Sequence, residues 1–252
     1  MSHELHRISA PAKLTLELRC TGVRSDGYHL IDSEMVTLEF ADTLSIDAST
    51  TGLSADGPFA MGMPLDDSNL VAKALLLAGR SAAVHIHKVI PHGGGLGGGS
   101  SDAAAVLRWA GYTDVVGASQ LGADVSFCLV GGRARVRGIG EIVEPLEFRA
   151  MDITLVIPPL TVSTPAVYRA WDELGAPRSD GPNDLEPAAL AVEPQLTRWR
   201  DRIREVAGIA PTLAGSGATW FLVGRHSLAA ALPEAIVVQT RTDRQQHAAG
   251  GR

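Results

Sequence analysis

The chain has 252 residues, a formal net charge of −6 at neutral pH, 45% hydrophobic and 20% charged residues, and two cysteines. That length suits one large domain or two small ones, and the composition is ordinary for a globular protein. The acidic balance argues against a general nucleic-acid binder, no stretch approaches the ~20 apolar residues of a membrane helix, and Cys20 and Cys128 form no disulfide framework. Both cysteines sit in apolar surroundings and read as reduced core thiols. With a polar start, Met1 to Arg7, that does not look like a signal peptide, they point to the cytoplasm.

From Leu14 the first segment alternates, Leu14, Leu16 and Leu18 against Thr15, Glu17 and Arg19, so Ile8 to Arg19 is a half-buried strand. Lys13 stands just before the alternation and, on its own, reads as a solvated residue. Arg24 to His29 is a turn cluster with Gly27 at the bend and the aromatic pair Tyr28-His29 after it. Met35 to Phe40 and Thr43 to Asp47 read as two strands broken by Ala41-Asp42. Thr50 to Asp66, rich in Gly, Pro and Asp, is a loop with a short strand. Asp67-Ser68-Asn69 then leads into an apolar helix, Leu70 to Ala78, ended by Gly79. Ala83 to His87 alternates like a strand. Its His85 and His87 share a face, with no neighbouring carboxylate or Cys in the sequence to complete a metal set.

The densest signal follows: Pro91-His92-Gly93-Gly94-Gly95-Leu96-Gly97-Gly98-Gly99-Ser100-Ser101, then Asp102 and the apolar run Ala103 to Leu107. Strand, glycine loop and helix in that order make a phosphate site, because bare backbone N–H groups and the positive end of a helix dipole converge there. A Walker A loop is excluded, since no Lys follows the glycines. The spacing of Gly93, Gly95 and Gly98 fits a dinucleotide fingerprint only by density, and the loop lies too far into the chain for that fold. Protein-kinase signatures are missing, and no G-x-S-x-G elbow accompanies the His92-Gly93-Gly94-Gly95 run.

Further on, Leu121 to Leu129 puts one carboxylate, Asp124, inside an apolar run, where an Asp is ordinarily a helix cap or a buried structural group. Arg133, Arg135 and Arg137 share one strand face, either a solvated sheet face or an anion-attracting stripe. Asp152 to Ile157 is a buried strand stopped by Pro158-Pro159, which sets a domain boundary near Ala150: 1–150, then 151–240, then a disordered tail, 241–252. Thr164 caps a helix with Pro165 at its first position, and Tyr168 and Trp171 on their own read as packing that helix. Asn183-Asp184-Leu185-Glu186 caps the next helix, and Gln195 to Val206 is an amphipathic one. Leu213 to Thr219 is a second glycine turn running into a strand. Ser227 to Leu232 is a last helix stopped by Pro233, and Ile236 to Gln239 a last strand.

Five of these motifs, in order, resemble the GHMP kinase superfamily: Pro11-Ala12-Lys13, Asp26-Gly27-Tyr28-His29, the glycine loop, Gly122-Ala123-Asp124-Val125-Ser126-Phe127, and the turn at Gly215. The Asp-Gly-Tyr-His turn and the triple-Gly, Ser-Ser-Asp loop are similar to the branch that phosphorylates an alcohol carrying a cytidine diphosphate group. The resemblance implies an α+β fold of two domains, one like ribosomal protein S5 domain 2 and one ferredoxin-like, with the site in the cleft between them. It implies ATP-dependent phosphorylation, with Mg²⁺, of the 2-hydroxyl of a methylerythritol linked to cytidine diphosphate, in non-mevalonate isoprenoid precursor synthesis. Asp124 becomes the catalytic base and Lys13 its cationic partner. Pro91 to Ser101, with Asn69 and Lys88, become nucleotide contacts. Tyr28, His29, Thr15 and Tyr168 become substrate contacts, the two tyrosines sandwiching the base. Gly215, Ser216, Gly217 and Thr219 become the brace of the phosphate loop. The Mg²⁺ ligands are not assigned, and the protein is a monomer or homodimer. The sequence departs from the family pattern at Thr15 (for Asn), Ser126 (for Pro) and Ile139 (for a basic residue), and in a short stretch after the loop helix. A kinase of another small alcohol, such as homoserine or mevalonate, and an inactive nucleotide-binding paralogue are the alternatives.

Overall fold

The computed structural model describes residues 5–244. The chain opens with two long strands, β1 (Leu5–Val23) and β2 (His29–Asp47), paired antiparallel along their length. The hairpin between them is closed by Arg24 N donating to Tyr28 O, with Gly27 at φ +88°. A short strand β3 (Gly52–Asp56), helix α1 (Leu70–Leu77) and strand β4 (Ala83–His87) follow, and β3 and β4 pair in parallel with α1 as their crossover. Then come α2 (Gly98–Trp109), the short α3 (Val115–Ser119), α4 (Ala123–Val130), and strands β5 (Arg133–Gly138) and β6 (Ile142–Pro145). Among the described residues these strands form one six-stranded sheet, β3-β4-β2-β5-β6, with β1 also on β2.

The second part runs β7 (Asp152–Ile157), α5 (Thr164–Glu173), α6 (Glu186–Val192), α7 (Gln195–Ala207), β8 (Thr212–Leu213), β9 (Trp220–Val223) and β10 (Ile236–Arg241). Its strands form an antiparallel sheet in the order β10-β7-β9-β8. Alternation along β7 explains the layers. Ile153, Leu155 and Ile157 meet Leu14, Val36 and Leu38 of the first sheet, while Val156 packs with Trp220 and Leu222 against Val167, Leu196 and Ile203 of the helices. The opposite face of the first sheet, Met35, Leu44, Ile46, Val84 and Val136, is covered by α1, α2 and α4 through Val71, Ala104, Leu107 and Phe127. Two sheets thus lie back to back between two helical layers, an α+β architecture.

Four expectations need correction. β2 runs unbroken through Ala41-Asp42, because the Asp42 carboxylate is fully satisfied inside the fold by Lys88 Nζ and by the backbone N–H groups of Val89 and Ile90, 2.6 and 2.9 Å away. Residues 227–232 form a single turn, in which Leu228 O accepts from both Ala231 N and Leu232 N. Ser163, without a side-chain bond, sits at the cap position of α5, and the Thr164 hydroxyl instead pairs with Ser216 Oγ at 2.8 Å. The first residues of the expected tail are ordered: Arg241 ends β10, Asp243 N donates to Thr37 O, and Arg244 lies over the Phe148 ring. The rest of that tail lies outside the described residues.

The three arginines of β5 are a solvated sheet face, since Arg133, Arg135 and Arg137 pair with Glu34, Asp32 and Glu144. Ser126 keeps its turn closed by donating to Val115 O at 3.0 Å.

Candidate active site

A cleft of about 720 Å³ opens between the glycine loop, the start of α4, the β1–β2 turn and α5. Lys13 comes to it from β1, at a register shift between Pro11 and Lys13 that turns its side chain off the regular ladder. The lysine is 6% exposed. Its Nζ lies 3.2 Å from Asp124 Oδ2 and donates to Thr15 Oγ1 at 3.2 Å. Asp124 stands in the first turn of α4, where the helix dipole favours a carboxylate, and its side chain is 31% exposed. It is therefore neither a cap nor a buried structural group: it offers acceptor oxygens to the cleft beside a nearly buried ammonium.

The glycine loop is shaped by what lies behind it. Lys13 N donates to Leu96 O at 3.0 Å, and the Leu96 side chain fills the core between the sheets. Gly97, at φ +66°, lies on the lysine stem, where a Cβ would stand 2.7 Å from Lys13 Cγ. Gly95, at φ +80°, passes so near the second glycine turn that a Cβ would reach 1.9 Å from Ala214 O. That turn grips the loop through its backbone: Ala218 N and Thr219 N donate to Gly93 O and Gly94 O. Asn183 anchors the turn in its own place by donating to Leu213 O and Gly215 O, while Asp184 next to it binds Cys20 N and Arg19 on β1. The result is a rigid loop whose last glycines and Ser100 bring the N-terminus of α2 into the cleft, a geometry suited to phosphate. His92 lines the same wall, and burial together with the nearby Lys88 charge pushes its imidazole below the ordinary range.

The structure brings Lys13, Asp124, Thr15, Tyr28, His29, Tyr168, Gly215, Ser216 and most of the loop to one cleft. It takes other expected residues away from it. Lys88 is fully buried under the loop, paired with Asp42 and, at 2.7 Å, with Asp102, so its charge is used inside the fold and does not face a nucleotide. Burial, opposed by Lys88, holds the Asp102 carboxyl above the usual carboxylate range. Asn69 caps α1, accepting from Val71 N and donating to Pro64 O, and does not line the cleft. Ser101 is buried and donates to Pro11 O, which leaves Ser100 as the cleft-facing serine. Thr219 is buried behind Gly94, and Gly217 lies against Gly95, so both brace the loop and neither faces the cleft.

At the far end, Tyr28 is 59% exposed with the Arg24 guanidinium over its ring. Tyr168 stacks on His29, and Trp171 packs within the second core, donating to Pro177 O. One residue that sequence reasoning passed over stands here, Asp172, bonded to His29, and beside it the cleft is lined by Ile139, where the family pattern has a basic residue. Asp172 follows Tyr168 by four positions on α5, a spacing that places both on one helix face and was readable in the sequence.

Residues 69–132, from the cap of α1 to the start of β5, match the GHMP kinases N terminal domain. Fold, glycine loop and facing Lys–Asp pair make this a small-molecule kinase of that superfamily. The chain is 40% identical over 242 residues to the 4-diphosphocytidyl-2-C-methyl-D-erythritol kinase of Paracoccus denitrificans (strain Pd 1222), covering 86% of each chain. The crystal structure of a 4-(cytidine 5'-diphospho)-2C-methyl-D-erythritol kinase is similar with a TM-score of 0.74 at 33% identity, covering 94% of this chain and 100% of that one. A homoserine kinase from Cytophaga hutchinsonii, with a TM-score of 0.62 at 15% identity and coverage of 98% and 97%, shares the fold alone. The chain belongs to the 4-diphosphocytidyl-2-C-methyl-D-erythritol kinase family.

Proposed function

We propose that this chain transfers the γ-phosphoryl group of ATP to the 2-hydroxyl of 4-diphosphocytidyl-2-C-methyl-D-erythritol, a step of the non-mevalonate isoprenoid precursor pathway. The observation that carries this reading is the position of the Lys13–Asp124 pair, between the glycine loop and the aromatic end of one continuous cleft. ATP phosphates lie against the loop and the start of α2. The cytidine lies at Tyr28, His29 and Tyr168, which leaves the alcohol beside Asp124. Asp124 accepts the hydroxyl proton as the oxygen bonds to the γ-phosphorus. The bond to the β–γ bridging oxygen breaks, and ADP leaves. The Lys13 ammonium balances the charge that develops on the transferred group. No covalent enzyme intermediate is required.

Among the described residues no group of three or more His, Cys, Asp or Glu could hold a metal. Mg²⁺ would arrive on the nucleotide, where it keeps several waters and takes few protein ligands. Ser100, with a hydroxyl at the helix start on the cleft wall, is the residue that would hold it. When bound, Mg²⁺ neutralises phosphate charge. Free, buried Cys20 and Cys128 support a reducing compartment, the cytoplasm, and no described helix is long and apolar enough to cross a membrane.

The test is ADP release with Mg-ATP and 4-diphosphocytidyl-2-C-methyl-D-erythritol beside homoserine and mevalonate. The reading requires turnover with the cytidine-bearing alcohol alone. Turnover with either of the others, and none with it, contradicts the reading.

A further inference from the structure

The His29 ring is held on three sides. One face lies against Tyr168, with centroids 4.6 Å apart and 32° between the planes. An edge contact with Trp171, at 5.6 Å and 78°, holds the ring from another direction. Its Nε2 lies 2.8 Å from Asp172 Oδ1. A carboxylate only accepts, so Nε2 carries the proton in this bond, and the other nitrogen of the neutral ring is left as an acceptor. No group among the described residues bonds to Nδ1, and the side chain is 12% exposed, in a cleft that Tyr28 and Asp172 also line. The ring is therefore fixed in orientation and in tautomer, with one acceptor free for a ligand.

We infer that Asp172 is a positioning residue that sets the base preference of this cleft. By holding the proton on His29 Nε2, it presents Nδ1 as an acceptor for the exocyclic amino group of cytosine. Uracil carries an oxo group at the same place and meets Nδ1 lone pair to lone pair. The inference rests on the aromatic end being a cytidine subsite and goes further by naming the group that selects between pyrimidines. Asp172 itself is 46% exposed and has no place in the core, so its replacement leaves the packing of α5 in place.

Calorimetric dissociation constants for CDP and UDP, measured on the wild type, Asp172→Asn and Asp172→Glu, test it. The asparagine amide offers Nε2 a donor as well as an acceptor, so the ring proton is no longer held on Nε2 and Nδ1 is no longer fixed as an acceptor. The expected result is a wild type that prefers CDP, a preference reduced about tenfold in Asp172→Asn, the scale of one hydrogen bond, and largely kept in Asp172→Glu. ATP affinity, set at the glycine loop, is the folding control. A CDP:UDP ratio in Asp172→Asn within twofold of wild type overturns the inference while leaving the kinase reading intact. A folded wild type that binds no CDP and releases no ADP with the cytidine-bearing alcohol overturns both.

Discussion

Lys13 Nζ lies 3.2 Å from Asp124 Oδ2, and the stem of the same lysine is the surface on which Gly97 of the phosphate loop rests. One side chain thus carries a charge to the reacting end of the cleft and sets the height of the loop. Lys13→Met keeps most of the stem and removes the charge. Its expected effect is a fall in kcat of about 10²–10³, with a much smaller change in the KM for ATP, read from steady-state ADP release. A loss confined to the KM for ATP would assign Lys13 to nucleotide binding.

The close approach of Gly95 to the second glycine turn makes a stability prediction. In Gly95→Ala a Cβ at 1.9 Å from Ala214 O, on a backbone at φ +80°, forces the loop and the turn apart. A loss of roughly 2–4 kcal/mol is expected from urea unfolding. Gly99→Ala is the control: its Cβ would meet nothing nearer than Leu70 Cδ1 at 3.7 Å, and the position lies within α2. There stability is expected to hold or to rise by about 0.5–1 kcal/mol.

Lys88 makes a different one. It is buried with Asp42 and Asp102 around it, so Lys88→Met leaves two carboxylates uncompensated in the interior. A loss of about 3–5 kcal/mol is expected in urea unfolding, and most of it is expected to return when Asp42→Asn and Asp102→Asn are added. A Lys88→Met protein of unchanged stability that loses ATP affinity would place the lysine at the nucleotide after all.

Burial pushes both thiols up to about 12 from 9.0. A folded-state pKa above the unfolded value means that the neutral thiols contribute stability fully below pH ~9, and that this contribution is lost as pH rises from there toward 12. Labelling with a thiol reagent near pH 8 is expected to be at least about 10²-fold slower in the folded protein than in urea. Fast labelling of either cysteine in the folded protein would contradict its burial.

Much of the site was legible because it is local. The strand ending at His87, the run of glycines and the small residues from Ala103 specify a loop that opens into a helix whatever surrounds it. Tyr28-His29 and Asp124 were reached only through the resemblance, since nothing near them in sequence shows that β1, α4 and α5 converge. Lys88 was misplaced for the same reason. Its partners are 46 and 14 residues away, and a lysine before a phosphate loop looks free until Asp42 is seen beneath it. Asp42 misled twice, because an Asp in an apolar strand reads as a break unless its buried partners are known. The turn at Leu228 has helix-forming residues, but only four, Ala229 to Leu232, lie between it and Pro233 before the chain must enter β10.

The measurement that tests the central claim most directly is ADP release with Mg-ATP and 4-diphosphocytidyl-2-C-methyl-D-erythritol by the wild type beside Asp124→Asn, which keeps the shape of the side chain and removes the base. Turnover in the wild type, reduced about 10²–10⁴-fold in the variant with its melting temperature retained, is the predicted result. Equal turnover in the two proteins would remove Asp124 from the chemistry, and a folded wild type without turnover would contradict the assignment of the cleft.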